Sequence, residues 1–276
     1  MPIIADLHMH STFSDGKYNT QKVVQNCIDA ELSYFCISDH DTINHISSIK
    51  KYINDNKLEI NFIPGTEITS EFNNSAIHIL GYGIDSNSSY LKNLFKKVNQ
   101  ERIDVICKMG EQLLALGCDI EYQHIISEQN SPGRPHLANK LVENGYALDI
   151  DEAFNKWLGK GKPGFIDKWK PKAKDVIDSI HKSGGIAVLA HMGMYKSINN
   201  MNDLLDLNLD GIEAYHPDHN MEYSNLLIDF CKNYKLIYSG GSDFHGWKNS
   251  NEFVGSYGLD ENSFEQFNEK CNNWSN

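Results

Sequence analysis

The sequence predicts an α/β fold on a largely parallel sheet, closed or nearly closed as a barrel, with a helical segment set into it. Three observations carry this. Short β-branched and aromatic runs alternate with stretches of helical apolar spacing at both ends of the chain. From about residue 93 to residue 169 the strand pattern stops and only helical spacing remains. Nearly every apolar run ends in His, Asp or Glu, as expected where strand ends meet on one face.

In chain order, residues 3–8 read as a strand and 19–30 as a helix with Asn19 or Thr20 as its cap. Residues 34–38 are a second strand and 42–52 a second helix, which Asp41-Thr42 would cap. Residues 62–64 and 68–69 follow, and 76–80 pair back after an Asn73-Asn74 turn signal. A long helical pattern then runs over 90–116, with shorter helical pieces to about 153 and a Gly/Lys-rich close at 159–164. The strand–helix rhythm resumes with a helix at 173–182 and a buried strand at 186–190. A strand at 211–214, a helix at 222–233 and a last strand at 236–239 complete it. The expected organisation is thus 1–92 and 170–276 as two parts of one barrel, with 93–169 inserted between them.

Composition excludes several classes. With 276 residues and 40% of them hydrophobic, the chain can bury a large core. Its first twenty residues hold two His, two Asp and no long apolar run, so neither a secretion signal nor a membrane anchor is expected. The six cysteines stand singly, which fits free thiols in a reducing cytoplasm. A formal charge of −12 opposes long duplex nucleic acid and favours a small anion drawn to bound cations.

The chemistry starts at Asp6-Leu7-His8-Met9-His10. Residues two apart on an extended chain face one way, so His8 and His10 can grip one ion. Such a pair alone fits an exposed strand before a turn equally well, and Ser14-Asp15-Gly16 is such a turn. Repetition decides. The following apolar runs end in Asp39-His40-Asp41, in Gly65-Thr66-Glu67, around His78, in His191, in Tyr215-His216-Pro217-Asp218-His219, and in Ser242-Asp243-Phe244-His245. His78 alone reads as a core histidine and Glu67 alone as a cap for a neighbouring chain end. Asp39 and Asp41 are left out of the ligand set, and both are expected to orient a ligand imidazole from behind. His45, His124 and His181 are read as solvent or packing positions.

These residues resemble the polymerase and histidinol phosphatase (PHP) superfamily of metal-dependent phosphoesterases. The resemblance implies a distorted barrel of about seven strands and as many as three divalent ions, Mn2+ foremost, with Fe2+ or Zn2+ as alternatives. By that analogy His8, His10 and Asp243 hold a first metal, with Glu67 bridging it to a third. Asp15, His40 and His245 hold the second, and His78 and His191 join Glu67 at the third. Within the helical insertion, Arg134-Pro135-His136 (preceded by Ser131-Pro132-Gly133) and Gly159-Lys160-Gly161-Lys162 resemble a branch acting on nucleoside 3′,5′-bisphosphates, nucleotide monophosphates or short 5′-phosphorylated oligoribonucleotides.

The mechanism expected from this set places a hydroxide between the first two metals. Arg134 clasps a phosphate, Lys162 binds a second one, and His219 is general acid or phosphate contact. His136 and His216 are further substrate contacts, and Tyr215 offers a face for a base or simply packs. Histidinol-phosphate phosphatase is the nearest rival. An amidohydrolase is a more distant one, disfavoured because no strand ends in lysine. A non-catalytic metal-binding module is the rival from another class.

Overall fold

The computed structural model describes residues 2–128, 132–167, 169–195, 198, 201–247 and 253–271. Ser131 therefore lies outside the described residues. The chain divides into two compact units, Met1–Leu94 with Pro171–Asn276, and Phe95–Lys170.

The first unit is mixed α/β. Strands β1 (Ala5–Asp6), β2 (Tyr34–Phe35) and β3 (Asn61–Phe62) form a parallel sheet in that order. Strands β4 (Gly65–Phe72), β5 (Ser75–Tyr82), β6 (Ile186–Leu189), β7 (Gly211–Tyr215) and β8 (Ile237–Gly240) form a second sheet, also in chain order. Pairing is parallel from β6 through β8, but β4–β5 and β5–β6 are antiparallel. This departs from a parallel sheet for a simple reason. The two-residue turn Asn73-Asn74 has φ of 49° and 58°, and a turn that short can only return a strand alongside itself.

Two lone bridges connect the sheets. Met9 pairs with Phe244 beyond β1 and β8, and His40 pairs with Glu67 between the end of β2 and β4. Strands β1 and β2 are much shorter than the apolar runs that contain them. Past Asp6 and Phe35 the chain leaves regular pairing, and those irregular extensions carry His8, His10, Asp39 and His40.

Helices flank the sheets. On α1 (Thr20–Asp29) the buried Val23, Val24 and Cys27 pack with Met9, Phe35 and Ile37, and Asn19 caps the helix through the Lys22 N–H. α2 spans His45–Asn56, so its start corrects the reading of Asp41-Thr42 as a cap. Asp41 sits at φ 53°, and its carboxylate accepts the Thr69 N–H at 2.9 Å instead. The second unit takes most of α3 (Ser89–Ala115), with α4 (Gln123–Glu128), α5 (Arg134–Glu143) and α6 (Ile150–Ala153), which runs into a π-helical turn at Phe154–Leu158. It has its own apolar core around Ile106, Met109, Leu113, Leu137, Leu141 and Leu158.

Back in the first unit, α7 (Ala173–Lys182) precedes β6 and packs on β4, β5 and β6, and α8 (Met221–Tyr234) follows β7 and packs on β7 and β8. The last helix, α9 (Glu261–Lys270), is absent from the sequence reading because its window is mostly polar. Asp260 caps it, and the buried Phe264 and Phe267 anchor it, Phe264 stacking on Tyr34 at 4.0 Å between ring centroids. Among the described residues no helix is long and apolar enough to cross a membrane.

Candidate metal centre

The site forms where irregular extensions of the strands converge. β1 delivers His8 and His10, and the loop after it delivers Asp15. The chain beyond β2 delivers His40, β4 contributes Glu67, β5 contributes His78, the end of β6 leads to His191, and the loop beyond β8 holds Asp243 and His245. Two of these residues need unusual backbone. His191 has φ 27° and Asp243 has φ 50°, left-handed values that non-glycine residues hold only when their surroundings impose them.

Three groups of ligand-type atoms adjoin one another, two of them around the Glu67 carboxylate. His8, His10, Glu67 and Asp243 form the first. His8 Nε2 lies 3.1 Å from Glu67 Oε2 and 3.3 Å from Asp243 Oδ1, and His10 Nε2 lies 3.2 Å and 3.1 Å from the same two oxygens. His10, Asp15, His40 and His245 form the second, with His245 Nε2 3.3 Å and His40 Nε2 3.7 Å from Asp15 oxygens. His40, Glu67 and His78 form the third. There Glu67 Oε1 meets His78 Nδ1 at 2.8 Å and His191 Nε2 at 2.8 Å, while Glu67 Oε2 meets His40 Nδ1 at 3.1 Å. Glu67 is thus common to the first and third groups, and His10 and His40 each belong to two.

Chemistry argues that these donors fit divalent cations. Both ring nitrogens of His10 and Nδ1 of His40 are buried and face carboxylate oxygens without the geometry of a hydrogen bond. Orphaned buried nitrogens are costly unless something else takes their lone pairs. Burial drives His40 down to about 4 against the pull of Glu67 and Asp15, so its ring is neutral at pH 7 and free to ligate. Burial opposes ionisation of Glu67, yet the His40, His8 and His78 rings outweigh it and hold the carboxyl well below its usual range. Asp243 is held low in the same way, chiefly by His8, and Asp15 chiefly by His40. Mixed imidazole and carboxylate donors of this kind suit Mn2+, Fe2+ or Zn2+.

Supporting groups fix several rings. His245 Nδ1–H donates to the Asp243 carbonyl at 2.7 Å, which leaves Nε2 for Asp15. His216 Nδ1 accepts the Asp218 N–H at 3.1 Å, so its Nε2–H faces Asp243 Oδ2 at 3.4 Å. This residue, read from sequence as a substrate contact, lies against the Asp243 carboxylate. Tyr195, which sequence reasoning missed, accepts the His78 N–H at 2.8 Å and meets His191 Nδ1 at 3.0 Å. Glu213, also missed, is fully buried and reaches His8 Nδ1 at 2.9 Å. Its signal was a single acid inside an apolar strand.

Asp39 does not stand behind a ligand imidazole. Its carboxylate accepts the Ser11 N–H at 2.7 Å, the Ser11 hydroxyl at 2.5 Å and the Ser14 hydroxyl at 2.7 Å, pinning the turn that presents Asp15. His45 sits behind it, 3.5 Å from Asp39 Oδ2, with Nε2 within 2.9 Å of the Ile37 carbonyl. Asp6 binds the N–H groups of His8, Ser242 and Gly255, and burial raises its carboxyl to about 6.

Substrate candidates are placed as follows. His219 is buried, with Nδ1–H donated to the Ala214 carbonyl at 2.9 Å and Nε2 accepting the Gly193 N–H at 2.9 Å. Burial lowers its basicity, so it rests here as a neutral ring. Arg134 and Lys162 are exposed residues of the second unit, and His136 Nδ1 accepts the Gly133 N–H at 3.1 Å at the start of α5. The Arg134 guanidinium lies over Phe165 at 5.6 Å and over Phe154 at 5.9 Å, contacts that hold its fork in place.

Close approach also constrains the site. A Cβ on Gly241 would fall 2.4 Å from the backbone N of His8. Gly241→Ala is therefore expected to push the His8 segment away and to lower stability by about 1–3 kcal/mol, read from urea unfolding. A wild-type midpoint would mean that the segment yields freely.

The profile of the PHP domain family matches residues 6–239. The chain is 31% identical over 252 residues to the 5′-3′ exoribonuclease Rnm of Escherichia coli K12, covering 88% of this chain and 85% of that protein. It is 27% identical over 248 residues to the 3′,5′-nucleoside bisphosphate phosphatase of Chromobacterium violaceum, covering 87% and 86%. A solved structure from Bifidobacterium adolescentis, described as a metal-dependent phosphoesterase, superposes with a TM-score of 0.84 at 24% identity over 96% of each chain and shares the fold.

Proposed function

The chain belongs to the PHP domain family and is a metal-dependent phosphoester hydrolase, and from that premise we propose that it hydrolyses phosphate monoesters of nucleotides, among them nucleoside 3′,5′-bisphosphates, or the 5′ ends of short oligoribonucleotides. One observation carries the reading: three adjoining clusters of imidazole and carboxylate donors are linked by shared members, Glu67 in the first and third, His10 in the first and second, and His40 in the second and third, with buried ring nitrogens not placed for hydrogen bonds. The proposed substrates follow the names of the two relatives, both of which act on nucleotide material.

We assign His8, His10 and Asp243, with Glu67, to a first ion, Asp15, His40 and His245 to a second, and His78 and His191, with Glu67, to a third, Mn2+ being the preferred metal. Divalent ions held there supply activated water at neutral pH and neutralise the phosphoryl oxygens. The protein's own part is positional. Asp39 fixes the Asp15 turn, His216 holds Asp243, and Tyr195 orients His191. The bridges Met9–Phe244 and His40–Glu67 support a single seven-stranded distorted barrel in which β3 and β4 count as one interrupted strand. The second unit is the helical insertion of this reading, and the free thiols fit a cytoplasmic setting.

Arg134 is the proposed phosphate clasp, with Lys162 and His136 as further substrate contacts. His219 can give a proton to the leaving oxygen only after Nε2 lets go of the Gly193 N–H and takes up a proton. Arg134→Lys keeps the charge but loses the two-pronged fork. It is expected to lower kcat/KM roughly 10- to 100-fold, since a hydrogen bond to a charged group contributes about 1.5–3 kcal/mol, with metal content unchanged. An unaltered kcat/KM would remove Arg134 from the site.

The class of substrate is tested by phosphate release from adenosine 3′,5′-bisphosphate, a 5′-phosphorylated RNA trimer and histidinol phosphate, side by side with Mn2+. Activity on either nucleotide substrate supports the proposal. Activity on histidinol phosphate alone overturns it while keeping the metal chemistry.

A further inference from the structure

We propose that Glu213 is a positioning residue that ties two of the metal-binding clusters together. β6 and β7 pair in register only as far as Leu189 and Ile212. One step further the β6 chain leaves β7 while still held to β5, with Ala190 N–H donating to the His78 carbonyl at 3.1 Å, and His191 enters its left-handed conformation. At that step the His191 N–H has left the ladder, and it donates to Glu213 Oε2 at 2.7 Å. The carboxylate takes the place of a strand carbonyl where the strand has turned off.

The other oxygen works on a different cluster. Glu213 Oε1 lies 2.9 Å from His8 Nδ1, and both side chains are fully buried. A carboxylate has no proton to give, so Nδ1–H donates to Glu213. The opposite nitrogen, Nε2, lies 3.1 Å from Glu67 Oε2 and 3.3 Å from Asp243 Oδ1, and with Nδ1 keeping its proton against Glu213 it is the nitrogen left to ligate a bound ion. One side chain thus fixes the ring of His8 in the first cluster and the backbone turn that brings His191 to Glu67 in the third. Of the other β7 side chains, Ile212 and Ala214 carry no polar atoms and Tyr215 packs against Tyr238.

Glu213→Gln makes the test sharp because it keeps volume and changes only hydrogen-bond direction. The amide has one acceptor oxygen and one donor nitrogen, while both partners donate. The His191 N–H cannot switch, so the oxygen goes to it and the NH2 faces His8 Nδ1. His8 then has to carry its proton on Nε2 and loses the lone pair aimed at the ion.

This inference rests on the metal reading of the clusters. The experiment is a Mn2+ titration of metal-free wild-type and Glu213→Gln protein, with circular dichroism of the metal-free forms as the fold control. The expected result is unchanged dichroism and Mn2+ affinity weakened about 10- to 100-fold, the loss typical of removing the group behind a ligating histidine. A purely structural role would alter the dichroism or the melting temperature and leave the affinity of the folded protein alone. Wild-type affinity in Glu213→Gln overturns the proposal while leaving the metal reading intact. Wild-type protein that takes up no divalent ion overturns both. If Glu213→Gln does not fold, Glu213→Asp decides. Its carboxylate is one methylene shorter and cannot span both partners, so weaker Mn2+ binding supports the role and wild-type binding sinks it.

Discussion

Glu67→Ala lowers kcat by roughly a thousandfold or more at saturating Mn2+, because several kcal/mol of charge stabilisation at the phosphoryl group depend on the ions it helps to hold. No other residue touches as many ligand candidates. Its two oxygens lie within 3.2 Å of rings of His8, His10, His40, His78 and His191. Truncation removes one ligand from two clusters at once and leaves five imidazoles crowded around an uncompensated gap. Glu67→Gln, which keeps the shape, is expected to behave nearly as badly because the charge is what the ions need. Steady-state kinetics with metal content measured on the same samples check this. Near-normal turnover in Glu67→Ala would show that the shared carboxylate is not part of the working centre.

Metal removal is expected to have the largest effect on stability. A ligand present at 100 times its dissociation constant adds about 2.7 kcal/mol per site to a folded state that alone can bind it. Two or three such sites amount to roughly 5–8 kcal/mol, and so to a fall of about 10–30 °C in the melting temperature of the unit that holds them. Calorimetry before and after dialysis against a chelator reads this directly, and re-addition of Mn2+ should restore the wild-type transition. Because Phe95–Lys170 has its own core, a transition that resists chelation is expected alongside the shifted one. A melting curve indifferent to chelator would place the clusters outside any role in holding ions.

The parts legible in sequence were those written as local pattern. His8 and His10 share a face because of period two, and the Asn73-Asn74 turn announced its hairpin through residues that tolerate positive φ. The acid and imidazole endings of successive apolar runs disclosed that strand ends would meet. What sequence could not disclose was pairing over distance. Asp39 binds Ser11 and Ser14 across 28 and 25 residues, and nothing local told it apart from a carboxylate behind a ligand imidazole.

Glu213 was hidden for the same reason, its partners being 205 and 22 residues away. His216 and His219 sat in a run that looked like a substrate-facing loop. Only the structure shows one turned onto Asp243 and the other engaged at both ring nitrogens. The antiparallel β5–β6 pair depends on where the chain returns after the whole helical region, which no window of sequence contains.

The central claim is that phosphate-ester hydrolysis arises at the clusters around Glu67. It is tested most directly by titrating Mn2+ into chelator-treated protein and measuring bound metal and phosphate release from adenosine 3′,5′-bisphosphate and a 5′-phosphorylated RNA trimer on the same samples. The account predicts no release without metal, release that rises as the clusters fill, and release from Glu67→Ala slower by roughly a thousandfold or more even at saturating Mn2+. A folded, fully metal-loaded wild-type protein that releases no phosphate from either substrate or from any other ester would contradict it.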